Sequence, residues 1–308
     1  MEIKVDKSVE AKNEKILTPG KIVWNRLKKN KLAIAGMFLL IFMILVCIFG
    51  PMIIKAIMGY TDESFNMADA MLAPCSAHWL GTDQLGRDIL ARLLYAGRIS
   101  LTVGLVAVLI DIFIGSVLGA IAGFYGGVVD SIIMRIVDIF LCVPFLPILI
   151  VLGAMMSDWK VPPQNRIYLV MVIIGILDWP GTCRIVRGQI LTLREQEFMQ
   201  AAEALGLRDR KKMFKHLLPN TFPSIIVTAT LGIGGAILTE SALSYLGLGV
   251  MPPIPSWGNM IQEVNDMYAI QYYSWLWMPP GICILLTVVA INLFGDGLRD
   301  ALDPKLKK

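Results

Sequence analysis

The chain alternates six long apolar stretches with charged connections. The apolar stretches cover residues 32–54, 99–124, 131–156, 167–185, 223–248 and 275–294. A hydrocarbon core of about 30 Å takes roughly 20 helical residues, because each residue rises only about 1.5 Å. The first stretch, LAIAGMFLLIFMILVCIFGPMII, covers that distance without a charge. Pro144, Pro147, Pro180, Pro279 and Pro280 interrupt later stretches. They would weaken a soluble helix, but inside a bundle neighbouring helices re-satisfy the freed backbone groups. The pattern predicts an all-α, polytopic membrane protein with six transmembrane helices. Around these it sets a tail over 1–31, a loop over 55–98, a transmembrane core over 99–298 and a second tail over 299–308.

Composition supports a lipid-facing surface. Of 308 residues, 56% are hydrophobic and 17% charged, and the mean hydropathy is +0.66. A soluble domain usually carries about 25% charged residues. The net charge of +4 does not indicate nucleic-acid binding, because the basic residues lie in the connections. Their placement orients the chain, since Lys and Arg collect on the cytoplasmic side. The first tail holds nine (Lys4, Lys7, Lys12, Lys15, Lys21, Arg26, Lys28, Lys29 and Lys31). The connection between stretches four and five holds eight: Arg184, Arg187, Arg194, Arg208, Arg210, Lys211, Lys212 and Lys215. Arg135, Arg299, Lys305, Lys307 and Lys308 fall on the same side, making 22 of 28. Both termini are therefore expected in the cytoplasm. Arg87, Arg92 and Arg98 run against the trend, but inverting the chain would strand the larger set outside.

Several chemistries find no support. Cys47, Cys75, Cys142, Cys183 and Cys283 show no metal-knuckle spacing. His78 and His216 stand too far apart for a zinc cluster, so no metal site is expected. His78 reads as a loop residue, and the methionines as packing. No GxxxxGK[ST] occurs, so the chain has no phosphate-cradling loop. The polar, lysine-rich first thirty residues read as a tail before a permanent span, not as a removed signal peptide.

The fourth connection, residues 187–222, carries the most pattern. In EQEFMQAAEALGLRDRKKMFKHLLPN, Phe198, Ala201, Ala202 and Leu205 recur at i, i+3, i+4 and i+7, while Gln196, Gln200 and Glu203 take the other side. Gly206 supplies a left-handed stop. Met213, Phe214, Leu217 and Leu218 offer a second apolar face, closed by Pro219. Two short amphipathic helices at a glycine corner could receive a partner's backbone, or lie on their own bundle.

QAAEALG followed by HLLP resembles the EAA motif of the membrane subunits of bacterial ABC importers. Ala201, Ala202, Gly206, Leu218 and Pro219 occupy the motif's positions; Gln200 replaces its Glu and His216 its Ile. HWLGTDQLGRDILARLLYAGRISL, TESALSYLGLGVMPPIPSWGNMI and GDGLRDALDPK, in that order, resemble the C-type permease of the oligopeptide, dipeptide and nickel importers. The resemblance implies a type I ABC importer permease bundle in the bacterial inner membrane. It implies a second, related permease beside it, two ATPases below and a substrate-binding protein above. ATP and magnesium would sit on the ATPases, with no cofactor in this chain. Phe198, Gln200, Ala201, Ala202, Glu203, Leu205, Gly206, Leu218 and Pro219 would form the coupling segment seated in an ATPase groove. The implied cargo is oligopeptides or dipeptides, with nickel or another small substrate as the alternative within the branch.

Charges inside spans are costly and mark functional positions by default. Asp111, Asp138, Asp178 and Glu240 qualify as pathway residues or as interface charges toward the second permease. In GTDQLGRDILARLL, Leu85, Ile89 and Leu93 make a narrow apolar stripe, which suits a helix at the membrane surface before span two. PPIPSWGNMI reads as a stabilising loop or as a rigid cap against the binding protein. A secondary transporter working alone would show inverted repeats and a coupling-ion site, and neither is evident. An intramembrane enzyme would need a nucleophile–base or metal constellation, and none converges.

Overall fold

The computed structural model describes residues 19–302. Lys4, Lys7, Lys12, Lys15, Lys305, Lys307 and Lys308 of the predicted tails lie outside the described residues. The elements in order are α1 (Pro19–Lys29), α2 (Lys31–Met58), a 3₁₀ turn (Met67–Asp69), α3 (Ile89–Tyr125), α4 (Gly127–Cys142) and α5 (Phe145–Asp158). There follow α6 (Pro163–Arg194), α7 (Glu197–Ala204), α8 (Asp209–Lys211), a π-helical turn (Lys212–Leu217) and α9 (Leu218–Tyr245). The chain closes with α10 (Trp257–Ile261), a 3₁₀ turn (Gln262–Asn265), α11 (Met267–Tyr272) and α12 (Ser274–Leu302). The only bridge-paired backbone among the described residues is Thr82 with Asp88.

Five helices are long and apolar enough to span a bilayer: α2, α3, α6, α9 with its lead-in, and α12. The expected third span is not one straight helix. It divides into α4 and α5, bent by 78°. Val143 takes an extended conformation (φ −83°, ψ 128°) ahead of Pro144. Proline's ring excludes its predecessor from helix, and Pro144 itself donates no N–H. Pro147 then falls in the first turn of α5, where a missing N–H costs nothing.

Close helix contacts set the direction of each crossing. A Cβ at Gly119 would lie 2.6 Å from the Cys183 carbonyl oxygen, and one at Gly175 2.6 Å from that of Ala107. Only glycine lets the backbones approach so closely, as at other membrane helix interfaces. Contacts advance together along α3 and α6, from Ala107–Gly175 through Gly115–Thr182 to Gly123–Ile190, so the two run parallel. The intervening α4–α5 pair must therefore return the chain across the layer. Gly104 against Ile237 and Gly232 against Val108 make α9 antiparallel to α3. Gly50 against Leu94 with Gly97 against Cys47, and Gly36 against Leu293 with Gly297 against Ala33, do the same for α2–α3 and α2–α12. The result is six crossings with both described ends on one side, where an Arg26 guanidinium N–H meets the Ala301 carbonyl at 3.4 Å.

Three boundaries differ from the pattern. Residues 19–29, expected as tail, form α1, whose Leu27 packs with Ala33 and Ala301. Helix α12 runs on to Leu302 instead of ending near 294, so 299–302 are helical. The surface helix expected before span two is absent. Residues 81–88 instead make a tight loop, with Gly86 at φ +71° and Asp83 Oδ1 accepting from the Leu85 and Arg87 amides. Asp88 caps the Ala91 amide at 2.8 Å and starts α3 directly. Ile89 and Leu93 then pack with Trp257 and Leu276 in the core.

At this end, opposite the termini, a set of buried polar groups is paired within the chain, while Phe65, Trp79 and Met267 are exposed. Trp257 is fully buried; its indole N–H donates to the Leu93 carbonyl at 3.1 Å and its amide to Ser100 Oγ at 3.2 Å. Ser256 and Asn259 form a reciprocal capping box on α10. His78 is a buried partner of Asp88 at 2.9 Å, stacked on Tyr60. Asp83 pairs with Arg87 at 2.6 Å and lies 3.7 Å from Arg92. Arg98 donates to the Cys47 and Ile48 carbonyls. The three arginines that run against the orientation bias are thus occupied within the chain.

Candidate functional site: a basic elbow below a polar cavity

At the terminal side, α6 gives way after Arg194 to an elbow made of α7, α8 and the π-helical turn. Helix α7 ends in a Schellman arrangement. Gly206 stands at φ +67°, its amide donates to Glu203, and the Leu207 amide reaches the Ala202 carbonyl at 3.2 Å. A Cβ at Gly206 would meet no atom within 4 Å, so glycine is needed there for its backbone conformation alone. Pro219 cannot donate to the carbonyl one helical turn back. The ladder ahead of it slips a register, and the Leu218 amide donates to Met213, five residues away. Asn220 Nδ2 takes the His216 carbonyl at 2.6 Å.

One face of the elbow is fastened to the bundle. Met199, Met213 and Leu217 pack with Ala120, Val186, Ile190 and Ile225. Arg194 donates to the Phe124 carbonyl at 3.1 Å, and Lys212 pairs with Asp209 at 2.9 Å with its ammonium 5.7 Å from the Phe124 ring. Arg187 binds Asp130 through two guanidinium nitrogens, tying α6 to α4.

The other face has no partner among the described residues. Leu205 is 79% exposed, and Phe198 and Phe214 are each 38% exposed. Ala201, Gln200, Glu203, Gly206 and Pro219 are also exposed, and Leu218 is half-buried. The single apolar face expected over Phe198, Ala201, Ala202 and Leu205 is thus divided. Ala202 is buried on the Met199 side, whereas Phe198, Ala201 and Leu205 look outward. At 100° per residue Ala202 lies between the two stripes, and the bundle claims it. A 490 Å³ groove next to this face is lined by Arg208, Arg210, Lys211, Phe214, Lys215 and Pro219. Sequence pattern had assigned these basic residues to orientation alone.

Above the elbow a cavity of about 1280 Å³ opens between α6 and α9. Asp178, Thr182, Gln189 and Thr192 supply one wall from α6, and Gln196 extends it at the start of α7. The α6 positions follow at intervals of four, seven and three residues, a polar stripe on one helix face present in the sequence but unread there. Asn220, Ser224 and Thr228 line it from α9, and Arg299 from α12. Asp111 and Asp178 belong to this cavity. Asp138 and Glu240 do not line it. Asp138 pairs with Arg184 on α6 at 2.5 Å, each about half exposed. Glu240 is fully buried and accepts from Ser244 at 2.7 Å and Ser100 at 3.2 Å, joining α9 to α3. Among the described residues no group of His, Cys, Asp or Glu could hold a metal ion.

Six crossings, a polar cavity between them and an anchored elbow with an unpartnered face define a subunit of a membrane transport assembly. Residues 115–308 match the family of binding-protein-dependent transport system inner membrane components, and residues 18–74 match the N-terminal TM domain of oligopeptide transport permease C. The chain belongs to this family of inner-membrane transport components and is not an enzyme. It is 41% identical to the oligopeptide transport system permease protein OppC of Bacillus subtilis (strain 168), over 96% of this chain and 94% of that one. The dipeptide transport system permease protein DppC of Alkalihalophilus pseudofirmus is 40% identical over 94% and 91%. The glutathione transport system permease protein GsiD of Pectobacterium atrosepticum is 37% identical over 96% and 94%.

Proposed function

We propose that the chain is one transmembrane half of an ATP-driven importer that carries oligopeptides or dipeptides inward across the cytoplasmic membrane. The anchored elbow with its outward apolar face carries this reading. Leu205, Phe198 and Ala201 offer a small hydrophobic contact, and Arg208, Arg210, Lys211 and Lys215 a basic rim. A soluble ATPase with an apolar socket and acidic edge fits both. Phe198, Gln200, Ala201, Glu203, Leu205 and Gly206 make the contact, while Ala202, Leu218 and Pro219 hold the elbow's shape. Two ATPases bind ATP and magnesium, and this chain binds neither. A second permease closes the cavity, and a substrate-binding protein docks at the Trp257 end. Both termini lie in the cytoplasm, as the basic residues require. Peptide cargo is supported by the names of the similar permeases.

Closure of the ATPases moves the elbow, and the Met199–Met213–Leu217 cluster passes that movement to α3, α6 and α9. The elbow must differ in affinity between the two states for ATP to drive access. Leu205→Asp tests this, because an exposed position tolerates the change with stability altered by no more than about 0.5 kcal/mol. The variant should reach the membrane normally, lose ATPase copurification and fail to support growth on short peptides as sole source of a required amino acid. Normal copurification and growth would refute the coupling role; normal peptide use with lost nickel uptake after deletion of the chain would move the cargo to nickel.

A further inference from the structure

Asp111 lies at the middle of α3, 4% exposed, and its Oδ1 has no hydrogen-bond partner among the described residues. It lines the inner end of the cavity together with Asp178, which is exposed at the middle of α6. Thr182 stands one helical turn beyond Asp178 on the same wall. The basic residue among the cavity's lining groups is Arg299, near the end of α12 at the mouth, where Gln196 and Leu302 also lie. Along α6, Asp178 and Thr192, both on the cavity wall, are separated by about 21 Å of helix axis at 1.5 Å per residue. The cavity therefore runs from two carboxylates at the membrane's middle to a guanidinium at its rim.

Other acids of the bundle are satisfied in place. Asp130 holds Arg187, Asp138 holds Arg184, and Glu240 is bonded to serines. Asp111 differs in lining the cavity while almost fully buried, with Thr182 as a hydrogen-bonding neighbour and with Oδ1 enclosed and unpartnered among the described residues. A carboxylate in that position is costly unless a cation or donor reaches it. A primary ammonium offers up to three N–H donors and a positive charge, which two carboxylates and a threonine hydroxyl can share.

We propose that Asp111 and Asp178 form a transient site for the protonated amine of the cargo, positioned deep in the cavity with Arg299 left for a carboxylate toward the mouth. The proposal rests on the peptide-importer reading and deepens it. A peptide's α-amine or a lysine side chain presents the same ammonium.

The test uses the complete detergent-purified importer without its binding protein, and saturation-transfer NMR with three peptides. These are trialanine, N-acetyl-trialanine and N-acetyl-Ala-Lys-Ala. Trialanine should give a signal at least about five-fold stronger than its acetylated form. Asp111→Asn and Asp178→Asn should each bring that ratio close to one at unchanged membrane abundance, and Asp111→Glu should retain part of it. Should Asp111→Asn fail to fold, the exposed Asp178→Asn decides alone. Signal from the acetylated lysine peptide assigns a side-chain amine to the site, and its absence restricts the site to the α-amine; both accord with the proposal. A ratio near one in the unsubstituted importer, or one unchanged in the variants, overturns it. Uptake of trialanine by the importer reconstituted together with its binding protein separates the two levels. Uptake with an unchanged ratio refutes the amine site alone, whereas no uptake refutes the peptide reading and the site with it.

Discussion

At the end away from the termini, the connections spend their polar groups on one another. Trp257 is sealed beneath α3, Asp83 holds Arg87, and Glu240 binds serines from two helices. At the terminal end, the elbow buries Met199, Met213 and Leu217 but leaves Leu205, Phe198 and a row of basic side chains uncovered. Both ends are polar loops on the same helices. The first also exposes Phe65, Trp79 and Met267, but its buried polar groups are held within the chain, so substitutions at those buried groups should act on folding. The second leaves its outer face uncovered among the described residues, so under the proposed coupling role substitutions there should act on assembly and transport.

The largest effect expected from this contrast is at Trp257. Trp257→Ala removes a fully buried aromatic and leaves the Leu93 carbonyl without its donor. Loss of such a side chain typically costs about 3–5 kcal/mol. Thermal unfolding in detergent should show a large drop, and membrane abundance should fall with it. A normal unfolding temperature would erase the difference between the two ends.

Gly206→Val should have an intermediate effect of another kind. The space is open, but φ +67° strains a β-branched residue by roughly 1–2 kcal/mol. The α7–α8 corner should loosen while the spans stay intact. Hydrogen exchange at the Leu207 amide should rise, and ATPase copurification should weaken. Gly206→Asn, which tolerates the left-handed region, should restore both.

The smallest effect concerns Glu263 in the connection before α11. Burial first, and then the neighbouring Asp83 carboxylate, push the Glu263 carboxyl above its ordinary 4.5. Its Oε2 accepts from Gln84 at 3.0 Å. A raised acid binds its proton more tightly when folded. This contribution to stability is fully present below the unfolded value and is lost as pH rises through the folded one. Glu263→Gln should flatten the stability-versus-pH curve just above 4.5, and an unchanged slope would contradict the assignment.

Much of the architecture was legible because bilayer thickness leaves few options for an apolar run. The other five spans begin and end near their observed limits, apart from α3, α6 and α12, whose ends carry charges that a hydropathy reading excludes. The break at Pro144 was not legible, since proline also occurs within continuous membrane helices such as α6 at Pro180. The elbow's position and its Gly206 stop could be read from spacing. Its two faces could not, because Ala202 lies at the border of the apolar stripes and only the neighbouring bundle decides which side it joins. Of the four acids inside spans, charge in a hydrophobic run marked all alike. Partners distinguish them: Arg184 for Asp138, serines for Glu240, and open cavity for Asp111 and Asp178.

The division of α7 into an inner and an outer face is the central claim, and cysteine cross-linking in the assembled importer tests it directly. In a background lacking the five native cysteines, Leu205→Cys should cross-link to an ATPase subunit carrying cysteines around its proposed socket. Met199→Cys, six residues earlier but packed against the bundle, should not. Cross-linking from Met199→Cys as strong as from Leu205→Cys, or none from Leu205→Cys in a complex that still copurifies, would contradict the claim.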